Sequence, residues 1–383
     1  MKKICFITTV SLTLKSFVVE TAKYLYNTGE YDITLICNDD EKFRESLPEY
    51  LHFIPVSMAR GIDASVISSI FDFIKIFKRE KFDLVQFATP NASLAACIAA
   101  KICRVPVRLY CQWGIRYVGF SGTPRKIFKL IEKFVCSNAT HVNAVSPLNK
   151  KFAVEEGLYK DSKATVLGRG GTIGVDIAQY DISKKAERRA ATRESCSIPE
   201  DSFVFGFAGR VSADKGCNEL FTAFKKLSET RKDVILLIAG PVEDDCGIET
   251  PLLNWAKESL QVVMTGQIEN ALMCNYYSAM DALIHPTYRE GFGMVIQEAG
   301  AMACPVITTQ IPGASEVLED GKSCLLIKPA DADSLYEKMA LMCSDPTAAA
   351  QMGQNARAFV EEHYERSIML KNQLERYNNL LEE

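Results

Sequence analysis

Histidine is scarce in this chain: there are four in 383 residues, at positions 52, 141, 285 and 363, and none is spaced as a ligand pair. Imidazole is the commonest zinc ligand, so a zinc site is not expected. The 13 cysteines include no Cys-x-x-Cys pair, their number is odd, and several (Cys5, Cys37, Cys324) fall in apolar runs. That pattern argues against a disulfide framework and fits reduced cytosolic thiols. No apolar run reaches the roughly 18 residues needed to span a bilayer. The short apolar opening, residues 1–10, lacks a small-residue cleavage site and reads as a buried first strand rather than a signal peptide. Internal repeats and low-complexity tracts are also missing.

What is present is ordinary for a soluble enzyme: 48% apolar and 24% charged residues. The length suits two domains, each able to bury its own core. The net charge of −4 conceals an asymmetry, because residues 1–175 hold 24 Lys and Arg against 16 Asp and Glu, and the remainder 20 against 32. A basic half joined to an acidic half suits a surface that meets anionic lipid or an anionic substrate, and equally suits plain scatter plus attraction between domains.

Short β-rich runs alternate with helical patterns through the first half, with strands expected at 3–10, 32–38, 52–56, 84–89, 107–113, 141–146 and 165–167. Helices are expected between them at 16–27, 66–79, 92–102 and 124–137. The rhythm restarts after residue 200, with strands at 203–208, 234–239, 262–265, 282–285, 306–308 and 325–327. Near-continuous apolar strands between helices predict parallel sheets covered on both faces. The Gly-rich segment 168–176 reads as the interdomain connection. The fold class is therefore α/β, with two doubly wound domains in tandem: 1–175, and 176–363. Such sheets bind ligands at the carboxyl ends of their strands. Helical patterns at 348–360 and 365–381 exceed what the second sheet needs. The last of them, about 364–383, packs back onto the first domain or stands as a plain terminal helix.

Two segments carry chemistry. Gly209-Arg210 and Lys215-Gly216 lie on the loop after the strand 203–208, and Glu290-Gly291-Phe292-Gly293-Met294-Val295 leads through Ile296 and Gln297 to Glu298. Guanidinium and ammonium groups pair with phosphate oxygens. If 293–302 is helical, the amides of Gly293, Met294 and Val295 lie at the positive end of its dipole, where a phosphate is stabilised without a metal. Glu298 then sits roughly 7 Å along the axis, which suits a ribose attached to a diphosphate. Glu290 faces the other side, where a sugar lies. A nucleotide sugar carries all of these groups.

These residues resemble the retaining glycosyltransferases of family 4, which have the GT-B fold of two Rossmann-like domains facing each other across a cleft. The likeness rests on the Gly-Arg and Lys-Gly pairs at 209–216, Ala-Gly-Pro at 239–241 and Thr265-Gly266. It continues through Glu290 and Glu298, Ile-Pro-Gly-Ala-Ser-Glu at 311–316 and Asp320-Gly321. Gly174-Val175-Asp176 and the region 131–146 look like bacterial members that build surface polysaccharides. The resemblance implies an N-terminal acceptor domain and a C-terminal donor domain. In the donor domain Arg210 and Lys215 hold the diphosphate, Glu298 bonds the ribose and Glu290 the donor sugar. It also places the backbone of 292–295 on sugar and phosphates, and Gln267 and Ile268 against the base. The implied activity is metal-independent, retaining transfer of a hexose or N-acetylhexosamine from a nucleotide diphosphate sugar, most simply UDP-linked. The acceptor would be a glycan or polyprenyl-diphosphate carrier in capsule or O-antigen synthesis, with no nucleic acid partner and no cofactor.

The chain departs from that pattern at two places. Many relatives have Gly-Gly after the first strand, where this chain has Thr8-Thr9-Val10, and a His before a Gly after the fifth strand, where it has Trp113-Gly114. Trp113 and Gly114 are the acceptor-side candidates, Trp113 stacking on a sugar face or packing in the core. Segment 124–134, with Arg125, Lys126, Lys129 and Lys133 near one face, is a basic amphipathic pattern that either rests on anionic lipid or is a solvated helix face. That allows a cytoplasmic protein in peripheral contact with the inner membrane. The Asp331 and Asp333 pair reads as a helix start, and His285 as structural. Two rival readings remain: a GT-B-like UDP-sugar epimerase, which the poverty of histidine disfavours, and a catalytically silent sugar-nucleotide-binding subunit.

Overall fold

The computed structural model describes residues 1–59 and 65–382, and its chain divides into two compact units. The first unit comprises Met1–Ile173 and Ser367–Glu383, the second Gly174–Arg366.

The first unit is built on a seven-stranded parallel sheet: β1 (Lys2–Ile7), β2 (Tyr31–Cys37), β3 (His52–Pro55), β4 (Leu84–Phe87), β5 (Val107–Gln112), β6 (His141–Ala144) and β7 (Ala164–Thr165). Their spatial order is β3-β2-β1-β4-β5-β6-β7, so the order reverses between β1 and β4. The helices are α1 (Ser11–Phe17), α2 (Val19–Asn27), α3 (Glu41–Ser46), α4 (Ser65–Glu80), α5 (Pro90–Ile102), α6 (Gly122–Asn138) and α7 (Pro147–Glu155). Apolar residues along alternate strand positions feed two separate cores, one containing Phe73, Phe77, Ala96 and Val135, the other Leu14, Leu25, Ile33 and Leu109. Burial on both faces explains why the strands read as unbroken apolar runs.

The second unit repeats the plan with six parallel strands: β8 (Phe203–Ala208), β9 (Val234–Ala239), β10 (Val262–Met264), β11 (Ala282–His285), β12 (Val306–Thr309) and β13 (Cys324–Ile327). The order β10-β9-β8-β11-β12-β13 places the reversal between β8 and β11. Its helices are α8 (Lys185–Ser195), α9 (Cys217–Thr230), α10 (Thr250–Glu258), α11 (Met273–Ala279), α12 (Met294–Ala301), α13 (Ala332–Ser344) and α14 (Pro346–His363). The final helix, α15 (Arg366–Glu382), buries Met369, Gln373, Tyr377 and Leu380, a stripe spaced by three or four residues. Tyr377 and Leu380 join the core of the first unit, and the Tyr377 hydroxyl donates to Gln86 Oε1 at 2.6 Å. Each large side chain buried this way contributes roughly 1.5–3 kcal/mol.

Three local departures from the sequence pattern have physical causes. The single helix expected over 16–27 is two helices, because the chain bends at Val18 (φ −127°, ψ −40°), which seats that side chain in the core. Helix α3 is too short to show a period, and forms because the Asp40 carboxylate accepts from the Phe43 amide at 3.0 Å. The charged stretch after residue 181 contains α8, which has no apolar stripe to announce it. It is held instead by Arg189 and Arg193, which pair with Asp281 at 2.8 and 2.7 Å.

Candidate functional site

Both loops that leave the reversal of the second sheet carry residues singled out above, and the fold stitches them together. From the β8 loop, the Asp214 carbonyl accepts from the Tyr288 amide at 3.0 Å, and its carboxylate pairs with Arg289 at 3.3 Å. Gly216 (φ 72°) lies so close to the β11 loop that a Cβ there would stand 2.1 Å from the Pro286 carbonyl oxygen. Only glycine permits that approach. From the other side, a Cβ on Gly313 (φ 82°) would stand 2.3 Å from the Gly291 carbonyl oxygen. The segment 311–316 therefore backs directly onto the Glu290 turn.

Glu290 is the centre of this arrangement. Its Oε2 accepts from Lys215 Nζ at 3.1 Å and lies 3.0 Å from His285 Nε2, while Oε1 accepts from the Gly291 amide at 3.1 Å. A carboxylate only accepts, so Nε2 of His285 carries the shared proton. Burial pushes the Glu290 carboxyl up, but the His285 hydrogen bond and the Lys215 charge outweigh it, and the pKa falls to about 2. Glu290 is thus ionised at any physiological pH. His285, the buried last residue of β11, was read from sequence as structural. It is a positioning residue for Glu290, and no spacing signal in the chain announces that contact.

Arg210 is placed differently. Its guanidinium, half exposed, donates to Glu243 Oε2 at 2.6 Å and lies 3.5 Å from Asp214 Oδ2. It is linked to the Glu290 loop through Asp214 and Arg289. Burial raises the Asp214 carboxyl, but Ser212, Arg210 and Arg289 together hold it below the usual carboxylate range. Gly209 continues β8, its amide bonded to the Ala239 carbonyl at 3.0 Å. Gln267 is exposed and Ile268 half-buried beyond the end of the edge strand β10, two strands from β8.

Helix α12 begins at Met294 behind Gly293, with no side-chain cap. The Ile296 and Gln297 amides return to the Gly293 carbonyl at 2.9 and 3.2 Å. Phe292 is buried with its ring against Tyr364, so it offers the site backbone rather than side chain. On α12, Glu298 Oε2 accepts from the buried Tyr277 hydroxyl at 2.8 Å, and Tyr180 bonds the same carboxyl. Arg357 secures this corner by donating to the carbonyls of Tyr180, at 2.7 Å, and of Ala301. Burial raises the Glu298 pKa to about 7 against the lowering effect of both tyrosines. Tyr180, Tyr277 and Arg357 lie far apart in sequence and were not found there.

The Glu298 shift predicts a pH dependence of stability. A carboxyl at about 4.5 in the unfolded chain and about 7 in the folded one leaves the folded state with more bound protons between those values. Stability therefore falls as pH rises through that window, by about 3 kcal/mol in all. Urea unfolding at pH 5 and pH 7.5 checks this: the loss should shrink in Glu298→Gln, and an equal loss in both proteins would assign it elsewhere. Glu290 does not contribute to this window. Its stabilisation is complete above about pH 4.5 and is lost only as pH falls towards 2.

In the first unit, Thr8 and Thr9 open the loop after β1, in which no glycine stands, and both are buried. The Thr9 amide and hydroxyl both bond Thr89 Oγ1, at 3.0 and 2.8 Å, across the reversal of that sheet. Trp113 is half-buried with its ring 5.3 Å from that of Phe17, on the edge of a core cluster, and Gly114 is exposed beside it.

Sequence comparison matches residues 188–359 to the family described as glycosyl transferases group 1, and residues 3–146 to glycosyl transferase 4-like proteins. The capsular polysaccharide biosynthesis glycosyltransferase CapM of Staphylococcus aureus is 30% identical over 354 residues, covering 92% of this chain and 91% of that protein. An Escherichia coli UDP-Gal:alpha-D-GlcNAc-diphosphoundecaprenol alpha-1,3-galactosyltransferase is 23% identical, covering 82% and 81%. Among solved structures, a glycosyltransferase of Rickettsia africae ESF-5 superposes with a TM-score of 0.82 at 21% identity, covering 99% of this chain and 98% of that one. The fold class is GT-B.

Proposed function

The chain belongs to the glycosyl transferases of group 1, and from that premise we propose that it moves a hexose or N-acetylhexosamine from a UDP-linked donor to a lipid-linked glycan, with retention and without a metal. The observation that carries this reading is the Lys215–Glu290 contact of 3.1 Å at the reversal of the second sheet. It sets a cation, an ionised carboxylate and the start of α12 in one place, where open α/β sheets bind ligands.

In this reading the donor diphosphate lies against Lys215 and the helix start, with Arg210 swinging from Glu243 to its outer oxygens. The bond between the anomeric carbon and the β-phosphate oxygen breaks, and the electron pair leaves with the diphosphate. The acceptor oxygen attacks from the same face and gives its proton to the departing phosphate oxygen. Glu290 bonds the sugar hydroxyls and is not the nucleophile. The positive groups act on charge that develops in the transition state, so they lower the barrier more than they tighten ground-state binding. Glu298 accepts from the ribose hydroxyls once the tyrosines release it. Trp113 and Gly114 belong to the acceptor side, and Gln267 and Ile268 meet the base.

The E. coli relative acts on a diphosphoundecaprenol acceptor and CapM is named for capsule synthesis, which supports a carrier-linked glycan here. Among the described residues no helix is long and apolar enough to cross a membrane. With a carrier of that kind as acceptor and a nucleotide sugar as donor, the reaction in this reading runs at the inner face of the cytoplasmic membrane. The test is a panel of nucleotide sugars with a polyprenyl-diphosphate-linked monosaccharide, read by release of nucleoside diphosphate and by NMR of the new linkage. We expect turnover with a UDP-sugar, the donor's anomeric configuration in the product, and no change with EDTA. An inverted product, or loss of activity on chelation, would overturn the corresponding part. A new sugar isomer without acceptor would favour an epimerase.

A further inference from the structure

The loop between β5 and α6 carries the two proposed acceptor-side residues, Trp113 and Gly114, and it is held at two buried points. The first is Gln112, the last residue of β5, which is fully buried. The Trp113 amide bonds back to the Cys111 carbonyl at 3.1 Å, which makes Gln112 the centre of a three-residue turn. The direction in which Trp113 leaves the strand therefore follows from the backbone of Gln112. The second point is Tyr117, also buried, whose hydroxyl donates to Glu156 Oε2 at 3.2 Å. Lys129 of α6 pairs with the same oxygen at 2.7 Å. Between these anchors Trp113 is half-buried and Gly114 exposed.

Gln112 is fixed because both ends of its carboxamide are engaged. Its Nε2 donates to Glu132 Oε1 at 2.6 Å, and its Oε1 accepts from the Tyr159 hydroxyl at 2.9 Å. Glu132 Oε1 also accepts from the Tyr110 hydroxyl at 2.8 Å. Tyr110 lies two residues back along β5, on the same face of the sheet as Gln112. All four side chains are buried, and they come from β5, α6 and the segment after α7. Burial raises the Glu132 carboxyl pKa against the lowering effect of Gln112 and Tyr110, so the group is held here at a desolvation cost. Apolar side chains of similar size would pack the sheet without that cost but would fix no direction. The directed network adds one orientation of Gln112, and with it one course for the turn that Gln112 centres.

We infer that Glu132 and Tyr159 clamp Gln112 so that Trp113 and Gly114 meet the acceptor in one arrangement, which makes both clamp members positioning residues for the transfer. They act through Gln112 and touch neither donor nor acceptor. The inference rests on the acceptor role proposed above for Trp113 and Gly114.

The experiment compares the full-length protein with Tyr159→Phe, Glu132→Leu and Glu132→Gln, using a UDP-sugar and the polyprenyl-diphosphate-linked monosaccharide. Tyr159→Phe and Glu132→Leu should raise the acceptor KM about tenfold or more, since each leaves one buried end of the Gln112 carboxamide without its partner. Glu132→Gln should stay within about twofold of the parent, because its amide oxygen can accept from both Tyr110 and Gln112. UDP affinity and the slow hydrolysis of the UDP-sugar by water should be unchanged in all three. Trp113 is one of two tryptophans, so in a Trp255→Phe background its fluorescence reports the turn without any substrate. Its emission should move to longer wavelength in Tyr159→Phe and Glu132→Leu, and hold its place in Glu132→Gln. Should Glu132→Leu fail to fold, Tyr159→Phe decides. Parent-like acceptor KM in Tyr159→Phe would overturn the inference, whether or not the emission shifts. So would UDP affinity or hydrolysis that falls in step with transfer, which would make the network general support for the fold. Those outcomes leave the transferase reading standing, whereas a parent protein that turns over no UDP-sugar removes that reading and this inference with it.

Discussion

Glu290→Ala should abolish sugar transfer, lowering kcat/KM by about a thousandfold or more, while the protein remains folded. The carboxylate takes Lys215 and His285 on one oxygen and the Gly291 amide on the other. Its removal leaves an ammonium and an imidazole without their acceptor, and takes from the donor sugar the group proposed to bond its hydroxyls. Glu290→Gln separates these effects, because the amide keeps the shape and one acceptor oxygen but loses the charge. We expect Glu290→Gln to melt close to the parent protein and still to lose most of its turnover. Full activity in the Ala variant, measured by release of nucleoside diphosphate, would remove Glu290 from the site.

Simultaneous loss of the two cations should have its main effect on the diphosphate. In Arg210→Ala/Lys215→Ala, UDP affinity measured by calorimetry should fall by about a hundredfold, since two charge-assisted contacts contribute roughly 1.5 kcal/mol or more each. The single variants should be unequal. Lys215 has a side chain only 21% exposed and is already aimed into the site, whereas Arg210 is 48% exposed and must leave Glu243 and Asp214 to reach a phosphate. Lys215→Ala is therefore expected to account for most of the loss. Unchanged affinity in the double variant would refute the assignment of this loop to the donor.

The two parallel sheets were legible because burial on both faces writes itself into a strand as a continuous apolar run. The strands 203–208, 234–239 and 282–285 begin and end where the run does. The pairing of the Arg210–Lys215 loop with the Glu290 loop was legible for a different reason. Both follow strands whose carboxyl ends lie at one edge, and doubly wound topology brings the loops at the reversal together whatever their separation in the chain. Helix α8 was not legible, because salt bridges from Arg189 and Arg193 to Asp281 hold it in place of an apolar stripe. The contact of His285 with Glu290 was also hidden, since one histidine at a strand end looks the same whether it fills space or meets a carboxylate.

By itself the sequence determined the α/β class, the approximate strands, the family and the residue types available for gripping a diphosphate. These follow from local periodicity and short spacings, which survive in one dimension. Only the tertiary structure decided which partner each charge takes. It joined Lys215 to Glu290 across 75 residues and sent Arg210 to Glu243. It also enclosed Glu298 between Tyr180 and Tyr277, raising its pKa to about 7. Coulomb and desolvation energies depend on distance and burial in space, and neither quantity is carried by position along the chain.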